Sequence, residues 1–149
     1  MNVRTFRHED ERQVIALWLA CCLTTAWNNP QRDIERKLSD SPDLFFVGEI
    51  DHEIVASCMA GYDGHRGWIY YLAVKPDQRR HGAASAIMNH AELELRRVGC
   101  PKIDLMVRKT NQEVISFYQK IGYQHDPVVV LSKRLEEDEP FDIGPAKKS

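Results

Sequence analysis

Residues 72 to 85 read Leu72-Ala73-Val74-Lys75-Pro76-Asp77-Gln78-Arg79-Arg80-His81-Gly82-Ala83-Ala84-Ser85, and they carry the strongest structural signal in the chain. The apolar residues up to Val74 predict the end of a strand, after which a short basic loop leads into a long helix. Backbone N–H groups in the first turn of a helix have no intrahelical partner, so this end of a helix binds phosphate. Gly82, Ala83 and Ala84 are small enough for a phosphate to come close to the backbone. The stretch predicts a phosphate-binding turn; a solvated basic turn before a surface helix is the alternative interpretation.

The residues before this stretch predict three antiparallel strands that follow one another directly. The β-rich runs cover Leu44–Ile50, Ile54–Tyr62 and Trp68–Val74, and short polar turns separate them. Further upstream, the patterns predict a strand and two helices over Asn2–Phe6, Asp10–Cys22 and Asp33–Leu38. The segment Trp27-Asn28-Asn29-Pro30 is interpreted as a break between the two helices.

The residues after this stretch alternate between helix and strand. Apolar residues at helical spacing predict a helix over Gly82–Val98, which Gly99 ends. A strand over Lys102–Val107 and a helix over Asn111–Ile121 follow, and the run Val128–Leu135 predicts a last strand. The order is β-α-α-β-β-β-α-β-α-β, which describes an α/β (α+β) fold with a mixed sheet.

Length and composition describe an ordinary globular chain. The 149 residues suit one domain, and the net charge of −2 gives no general attraction to nucleic acid or to an anionic membrane. The N-terminal residues lack the apolar core of a signal peptide, so we expect a cytoplasmic protein. The four cysteines lie in apolar stretches with no metal-binding spacing, and we interpret them as reduced structural thiols. Residues 136–149 are acidic and poor in core residues, which predicts a flexible tail after a domain of residues 1–135.

Two motifs resemble those of a known family. Arg79-Arg80-His81-Gly82-Ala83-Ala84 matches the R-x-x-G-x-A pyrophosphate loop of the GNAT N-acetyltransferases. The segment Asn111-Gln112-Glu113-Val114-Ile115-Ser116-Phe117-Tyr118-Gln119-Lys120-Ile121-Gly122-Tyr123 matches a second signature, N-x6-Y-x3-G-[FY]. The resemblance covers residues 2–135, and segments such as Gly99-Cys100-Pro101-Lys102-Ile103 are similar to the YpeA-like bacterial branch.

This resemblance implies a fold, an activity and a set of site residues. The fold would be the GNAT fold, with a mixed sheet of six to seven strands flanked by four helices. The activity would be transfer of an acetyl group from acetyl-CoA to an amine, by direct attack in a ternary complex. The amine would belong to a small molecule or to a protein or peptide, with no nucleic acid, membrane or metal involved. The residues implied in cofactor binding are Leu72, Ala73 and Val74 for the pantetheine arm, Arg79, Arg80, His81, Gly82, Ala83, Ala84 and Ser85 for the pyrophosphate, and Asn111 for the pantetheine.

The resemblance places Tyr118 near the thioester sulfur, where it would act as the general acid; a core tyrosine is the alternative interpretation.

Two positions depart from the family pattern. Arg80 stands where the family often has glycine. Met106 stands where relatives that acetylate ribosomal protein N-termini carry a glutamate, five residues before the asparagine. The general base stays open between Glu49, Asp63, His65 and a water molecule.

The resemblance implies an acceptor cleft flanked by the first two helices and the segment that links them. Trp27, Asp33 and Glu35 lie there, and Glu49 and Asp63 add negative charge, which favours a cationic amine. Tyr70 and Tyr71 are adjacent in a strand, so one is expected to line the cleft and the other to pack in the core. A non-catalytic CoA-binding module and an enzyme for longer acyl groups remain as alternatives, and a homodimer is left open.

Overall fold

The computed structural model describes residues 1–25 and 27–141, and in this part a five-stranded sheet forms the centre of the fold. The strands are β1 (Asn2–Thr5), β2 (Phe45–Ile50), β3 (Glu53–Tyr62), β4 (Gly67–Val74) and β5 (Ile103–Leu105). They lie in the order β1-β2-β3-β4-β5. Neighbours from β1 to β4 pair antiparallel, while β4 and β5 pair parallel. The mixed sheet and the predicted meander of β2, β3 and β4 are confirmed.

Within the described residues, four α-helices cover the two faces of the sheet: α1 (Glu11–Ala20), α2 (Pro30–Asp40), α3 (Ala83–Arg97) and α4 (Gln112–Lys120). Trp18 of α1 and Ile34 of α2 are buried with inward-facing residues of β2 and β3 on one face. Ile87 of α3 and Tyr118 of α4 are buried in a second cluster on the other face. In the part of the chain described here, no helix has the length and apolar character that a membrane span requires.

The start of α2 corrects the interpretation of Trp27–Pro30 as a plain break. The side-chain oxygen of Asn29 accepts a hydrogen bond from the N–H of Arg32 at 3.1 Å, and Pro30 occupies the first helical turn. Asparagine is a preferred N-cap, and proline is preorganised for the first helical position. The helix therefore begins at Pro30, three residues before its predicted start.

The prediction of a last strand over Val128–Leu135 is wrong, so the sheet has five strands in the described residues rather than six or seven. The apolar side chains of this segment are exposed, with Val129 at 84% and Leu131 at 90%. The neighbouring edge strand β5 is only three residues long and offers few backbone groups for pairing. Strand propensity depends on a partner, and here the tertiary context overrides it.

A bulge in β4 corrects a second expectation. Ser57 pairs with Ala73 and Met59 pairs with Tyr70, so two residues of β4 lie opposite one residue of β3. Tyr71 in this bulge has φ of +52°, in the left-handed region. The extra residue disrupts strict alternation, and Tyr70 and Tyr71 both line one cavity. The expectation of opposite faces is therefore corrected, whereas the two expected environments are present: Tyr70 lines the cavity, and Tyr71 packs against the apolar cluster of Trp18 while it also reaches the cavity.

Candidate active site

A gap opens between β4 and β5. The two strands pair only from Gly67–Ile69 to Ile103–Leu105, whereas β4 continues to Val74. In the described residues, the second half of β4 therefore has a strand neighbour, β3, on one edge alone. An exposed strand edge can accept an extended ligand through main-chain hydrogen bonds. Leu72, Ala73 and Val74, which the sequence resemblance assigns to pantetheine binding, lie on this half-paired part of β4.

The N-terminus of α3 lies beyond the end of β4. Gly82 is the N-cap, with φ of +81° and no side-chain cap hydrogen bond. The N–H groups of Ala83, Ala84 and Ser85, in the first turn of α3, have no intrahelical acceptor, and the carbonyl oxygen of the N-cap Gly82 accepts from the N–H of Ala86 at 3.0 Å. A side chain at Gly82 would meet nothing within 4 Å, so the space beside these N–H groups is open. These free donors fit the phosphate groups of a nucleotide cofactor.

The two arginines of the loop have different environments. Arg79 turns back toward the sheet, where its Nε donates to the carbonyl oxygen of Val74 at 3.1 Å and its Nη2 lies 3.4 Å from the sulfur of Cys21. Arg80 projects into solvent, 3.8 Å from the carboxylate of Glu113 on α4. Its φ of +66° is the conformation that glycine adopts most easily, which accounts for the frequent glycine of the related loops. His81 is also exposed.

Tyr118 and Asn111 come from opposite ends of α4. Asn111 is the N-cap of α4, and its side-chain oxygen accepts from the N–H of Val114 at 3.3 Å, which leaves the amide NH₂ free to contact a ligand. Tyr118 is buried with Cys58 of β3 in the cluster beneath α3. Burial raises the pKa of the Tyr118 hydroxyl above its ordinary value, so this side chain remains protonated throughout the neutral range. Tyr118 is therefore suited to donate a hydrogen bond but is a weak proton donor.

A cavity of about 490 Å³ lies on the α2 side of β4. Three carboxylates line it, from Asp33 and Asp40 of α2 and from Asp63 after β3. Its aromatic residues are Tyr62, Trp68, Tyr70 and Tyr71. Two cationic side chains, Arg36 and Lys37, also line the cavity, so the three carboxylates exceed the cations by one. Carboxylates beside aromatic faces suit a positively charged group, because both attract cations.

Hydrogen bonds hold two of these carboxylates in place. The hydroxyl of Tyr71 donates to Asp33 at 2.6 Å. Asp63 accepts from the N–H groups of His65 and Arg66, each at 2.8 Å. The backbone hydrogen bonds from Arg66 and His65 lower the pKa of Asp63, which makes it a weak general base but a dependable negative charge.

The structure separates the remaining acceptor and base candidates from this cavity. Glu49 is paired with Arg4 at 2.8 Å on the β1 side of the sheet. Glu35 is paired with Arg32 on the outer face of α2, Trp27 is 66% exposed, and His65 is exposed in its turn. None of these four residues lines the cavity, whereas Asp33 and Asp63 both do.

Sequence reasoning missed two polar residues near the site, the half-buried Lys37 and the fully buried Ser57. Lys37 donates through Nζ to the carbonyl oxygen of Ala60 and to Ser41, and burial lowers its pKa. Ser57 is fully buried between Trp18 and the β4 bulge. A single polar residue in an apolar strand was the available signal for Ser57, whereas nothing local marks Lys37. Among residues 1–25 and 27–141, no group of three His, Cys, Asp or Glu residues is placed to hold a metal ion.

Comparisons with known proteins agree with this geometry. The model of the acetyltransferase (GNAT) family matches residues 11–123. An acetyltransferase of Sodalis glossinidius is 52% identical over 142 residues, which cover 95% of this chain and 100% of the relative. An acetyltransferase of Pectobacterium atrosepticum is 50% identical over 141 residues, with the same two shares. The crystal structure of Naa20 from Chaetomium thermophilum in complex with a bisubstrate analogue has a TM-score of 0.67 at 25% identity, covering 83% of this chain and 71% of that one.

The free end of β4, the open N-terminus of α3 and these relatives define an acyltransferase. The chain belongs to the acetyltransferase (GNAT) family and is an acetyl-CoA-dependent N-acetyltransferase. The resemblance drawn from its two sequence motifs is therefore confirmed at the level of the family.

Proposed function

We propose that the enzyme transfers the acetyl group directly to an amine held in the cavity between α2 and β4. The observation that carries this proposal is the position of the bulge. Tyr70 and Tyr71 line the acceptor cavity, and they lie on the part of β4 that has no partner on its β5 side. One strand thus separates two binding regions, which would bring an amine and a thioester together without a covalent enzyme intermediate.

Acetyl-CoA would be held by the residues that the motif assigns. Leu72, Ala73 and Val74 would bind the pantetheine arm through the free edge of β4, and Asn111 would bind it through its amide. The N–H groups from Arg79 to Ser85 would hold the pyrophosphate. The guanidinium of Arg79 already contacts Val74 and Cys21. We therefore assign Arg79 two roles, which are to stabilise the conformation of the loop and to contact the phosphate.

Tyr118 would stabilise the departing sulfur. Its protonated hydroxyl would donate a hydrogen bond to the thiolate as negative charge develops there. A backbone N–H of β4 near Val74 would polarise the carbonyl oxygen. A water molecule would remove the proton from the amine, since Glu49 and His65 do not line the cavity and the pKa of Asp63 is lowered.

The acceptor would be an amine, on a small molecule or on a protein or peptide. The carboxylates of Asp33 and Asp63 supply the charge that would hold a cationic one. Free cysteines fit a cytoplasmic location for the enzyme, with the catalytic domain in residues 1–135.

Release of the CoA thiol with a panel of amines tests the proposal. The panel should contain polyamines, aminoglycosides, lysine peptides and peptides with a free N-terminus, with hydroxyl acceptors as controls. We expect turnover with at least one cationic amine. Turnover confined to neutral hydroxyl acceptors would contradict the proposed acceptor. Binding of acetyl-CoA without turnover would favour the CoA-binding module, and faster turnover with longer acyl-CoAs would favour a different acyl donor.

A further inference from the structure

The segment from Glu136 to Phe141 lies against α2, beside the proposed acceptor cavity. Asp138 forms a two-pronged ion pair with Arg36: Nη1 donates to Oδ2 at 2.8 Å, and Nη2 donates to Oδ1. The side-chain NH₂ of Asn29 donates to the carbonyl oxygen of Glu139 at 2.9 Å. Phe141 packs on the apolar cluster that contains Trp18. The side chain of Asp138 is 7% exposed and that of Arg36 is 44% exposed, so the ion pair is partly open to solvent.

Arg36 connects this segment to the cavity. It lines the acceptor cavity, and it also lines a second cavity of about 520 Å³ that residues 132–136 enclose. Within α2, its Nη1 lies 3.6 Å from the carboxylate of Asp33, at i and i+3 on one helix face. Arg36 therefore lies between two carboxylates, and the hydrogen bonds to Asp138 are the shorter contacts. The ion pair raises the pKa of Arg36 and lowers that of Asp138, so both are charged at neutral pH.

We propose that Asp138 is a positioning residue for acceptor binding, because it accepts both side-chain hydrogen bonds of the Arg36 guanidinium and leaves Asp33 only a longer contact of 3.6 Å with Arg36, so that this carboxylate can still accept hydrogen bonds from a cationic amine. Without Asp138, the 3.6 Å ion pair between Arg36 and Asp33 would shorten to the hydrogen-bonded i,i+3 pair that their spacing favours. Asp33 would then have fewer free acceptor positions and less negative charge to offer to a ligand in the cavity. This inference rests on the proposed function, since it assigns the specificity of the same cavity.

Two further contacts of the segment allow the electrostatic role of Asp138 to be distinguished from a purely structural role in holding the segment against α2. Asn29 and Phe141 hold the segment independently of the ion pair, so Asp138→Asn removes a charge without removing those contacts. The asparagine also keeps the size of the side chain. A charge effect transmitted through Arg36 must vanish when Arg36 itself is replaced, whereas a structural effect on the segment must persist.

Binding of spermidine, measured by titration calorimetry at low ionic strength with the full chain, tests this inference. Asp138→Asn should raise the Kd for spermidine by roughly three- to tenfold, the range expected for a partly exposed charge interaction. Arg36→Gln should lower the Kd, and the double variant Arg36→Gln/Asp138→Asn should bind at least as tightly as the parent. The stabilisation of the fold by acetyl-CoA should be equal in all four proteins, because no change touches the β4 edge or the loop.

Three results would overturn the inference: no binding of spermidine by the parent, an unchanged Kd in Asp138→Asn, or weak binding that persists in the double variant. These results are independent of catalysis. An absence of CoA release with every amine would contradict the proposed function while leaving the spermidine titration to decide the role of Asp138.

Discussion

The hydroxyl of Ser57 donates a hydrogen bond of 2.8 Å to the carbonyl oxygen of Tyr71, the residue at the centre of the β4 bulge. The same hydroxyl accepts from the indole N–H of Trp18 at 2.9 Å. The ring of Trp18 stacks on that of Tyr71, with centroids 3.8 Å apart. One buried side chain thus connects α1, β3 and the bulge that places two tyrosines in the acceptor cavity.

Ser57→Ala should therefore destabilise the fold by about 1–3 kcal/mol, because it leaves a buried indole N–H and a carbonyl oxygen without partners. Chemical denaturation measures this loss. Ser116→Ala, on the exposed face of α4, is the matched control and should stay within about 0.5 kcal/mol of the parent. Equal stabilities for the two variants would show that the bulge does not depend on the Ser57 hydroxyl.

Glycine at position 80 should relieve backbone strain. Arg80 has φ of +66°, a conformation that costs an L-residue on the order of 1 kcal/mol relative to glycine. Arg80→Gly and Arg80→Ala both remove the charge, but only the first removes the strain. We expect the glycine variant to be the more stable of the two by about 1 kcal/mol in thermal denaturation. An alanine variant of equal or greater stability would contradict this interpretation of the loop.

Negative charge at the start of α3 should abolish cofactor binding. Acetyl-CoA at 100 times its Kd should stabilise the parent by about 2.7 kcal/mol, which appears as a rise in melting temperature. Gly82→Glu should remove this rise by placing a carboxylate beside the free N–H groups. Gly99→Glu is the matched control, since Gly99 follows α3 at its other end and also has positive φ and open space. A full rise in the Gly82 variant would place the cofactor elsewhere.

Tyr118→Phe should lower kcat with little change in the KM for acetyl-CoA. The ring and its packing survive, and only the proposed hydrogen bond to the leaving sulfur is lost. General acids typically contribute about 10²–10⁴ in rate, and because burial raises the pKa of Tyr118 we expect the lower end of that range. Tyr123→Phe is the control, because its hydroxyl donates to Glu92 at 3.0 Å and its pKa is also raised. Similar kcat values for the two variants would assign Tyr118 to the core alone.

The free energy of unfolding should fall in alkaline solution, and the first contribution should come from ionisation of the Cys58 thiol. Burial raises the pKa of its thiol to about 12, while an unfolded cysteine ionises near pH 8.5. Above about pH 8.5 the unfolded state releases this proton and the folded state retains it, so the free energy of unfolding falls by about 1.4 kcal/mol per pH unit. Above about pH 10 the decline steepens, because burial also raises the pKa of Tyr71, Tyr118 and Tyr123.

Chemical denaturation at a series of pH values measures this decline. In Cys58→Ala, the fall in the free energy of unfolding that begins near pH 8.5 should be absent, although the variant is less stable than the parent at neutral pH. Cys22→Ala, at an exposed position, should keep it. A decline that is identical in both variants would contradict the role given to Cys58.

Local sequence determined most of the fold and is the source of the proposed cofactor site. The meander of β2, β3 and β4, the long helix α3 and the cap of α4 at Asn111 follow from periodicity, turns and capping, which act over a few residues. The phosphate-binding turn depends on Gly82 and on the free N–H groups after it, and both are properties of one continuous stretch. The same reasoning could have placed the start of α2 at Pro30, since the Asn-Pro pair is itself a helix signal.

Only the tertiary structure decided which residues line the proposed acceptor cavity. The run Val128–Leu135 has strand propensity but finds no partner, and the orientation of Tyr71 depends on a bulge that Ser57 and Trp18 hold from other elements. The pairing of Arg36 with Asp138 joins residues 102 positions apart. Propensities and motifs describe neighbours along the chain, whereas charge pairing and strand pairing depend on which distant groups meet. For that reason the sequence alone predicted the proposed cofactor turn, while only the folded chain showed which carboxylates line the proposed acceptor cavity.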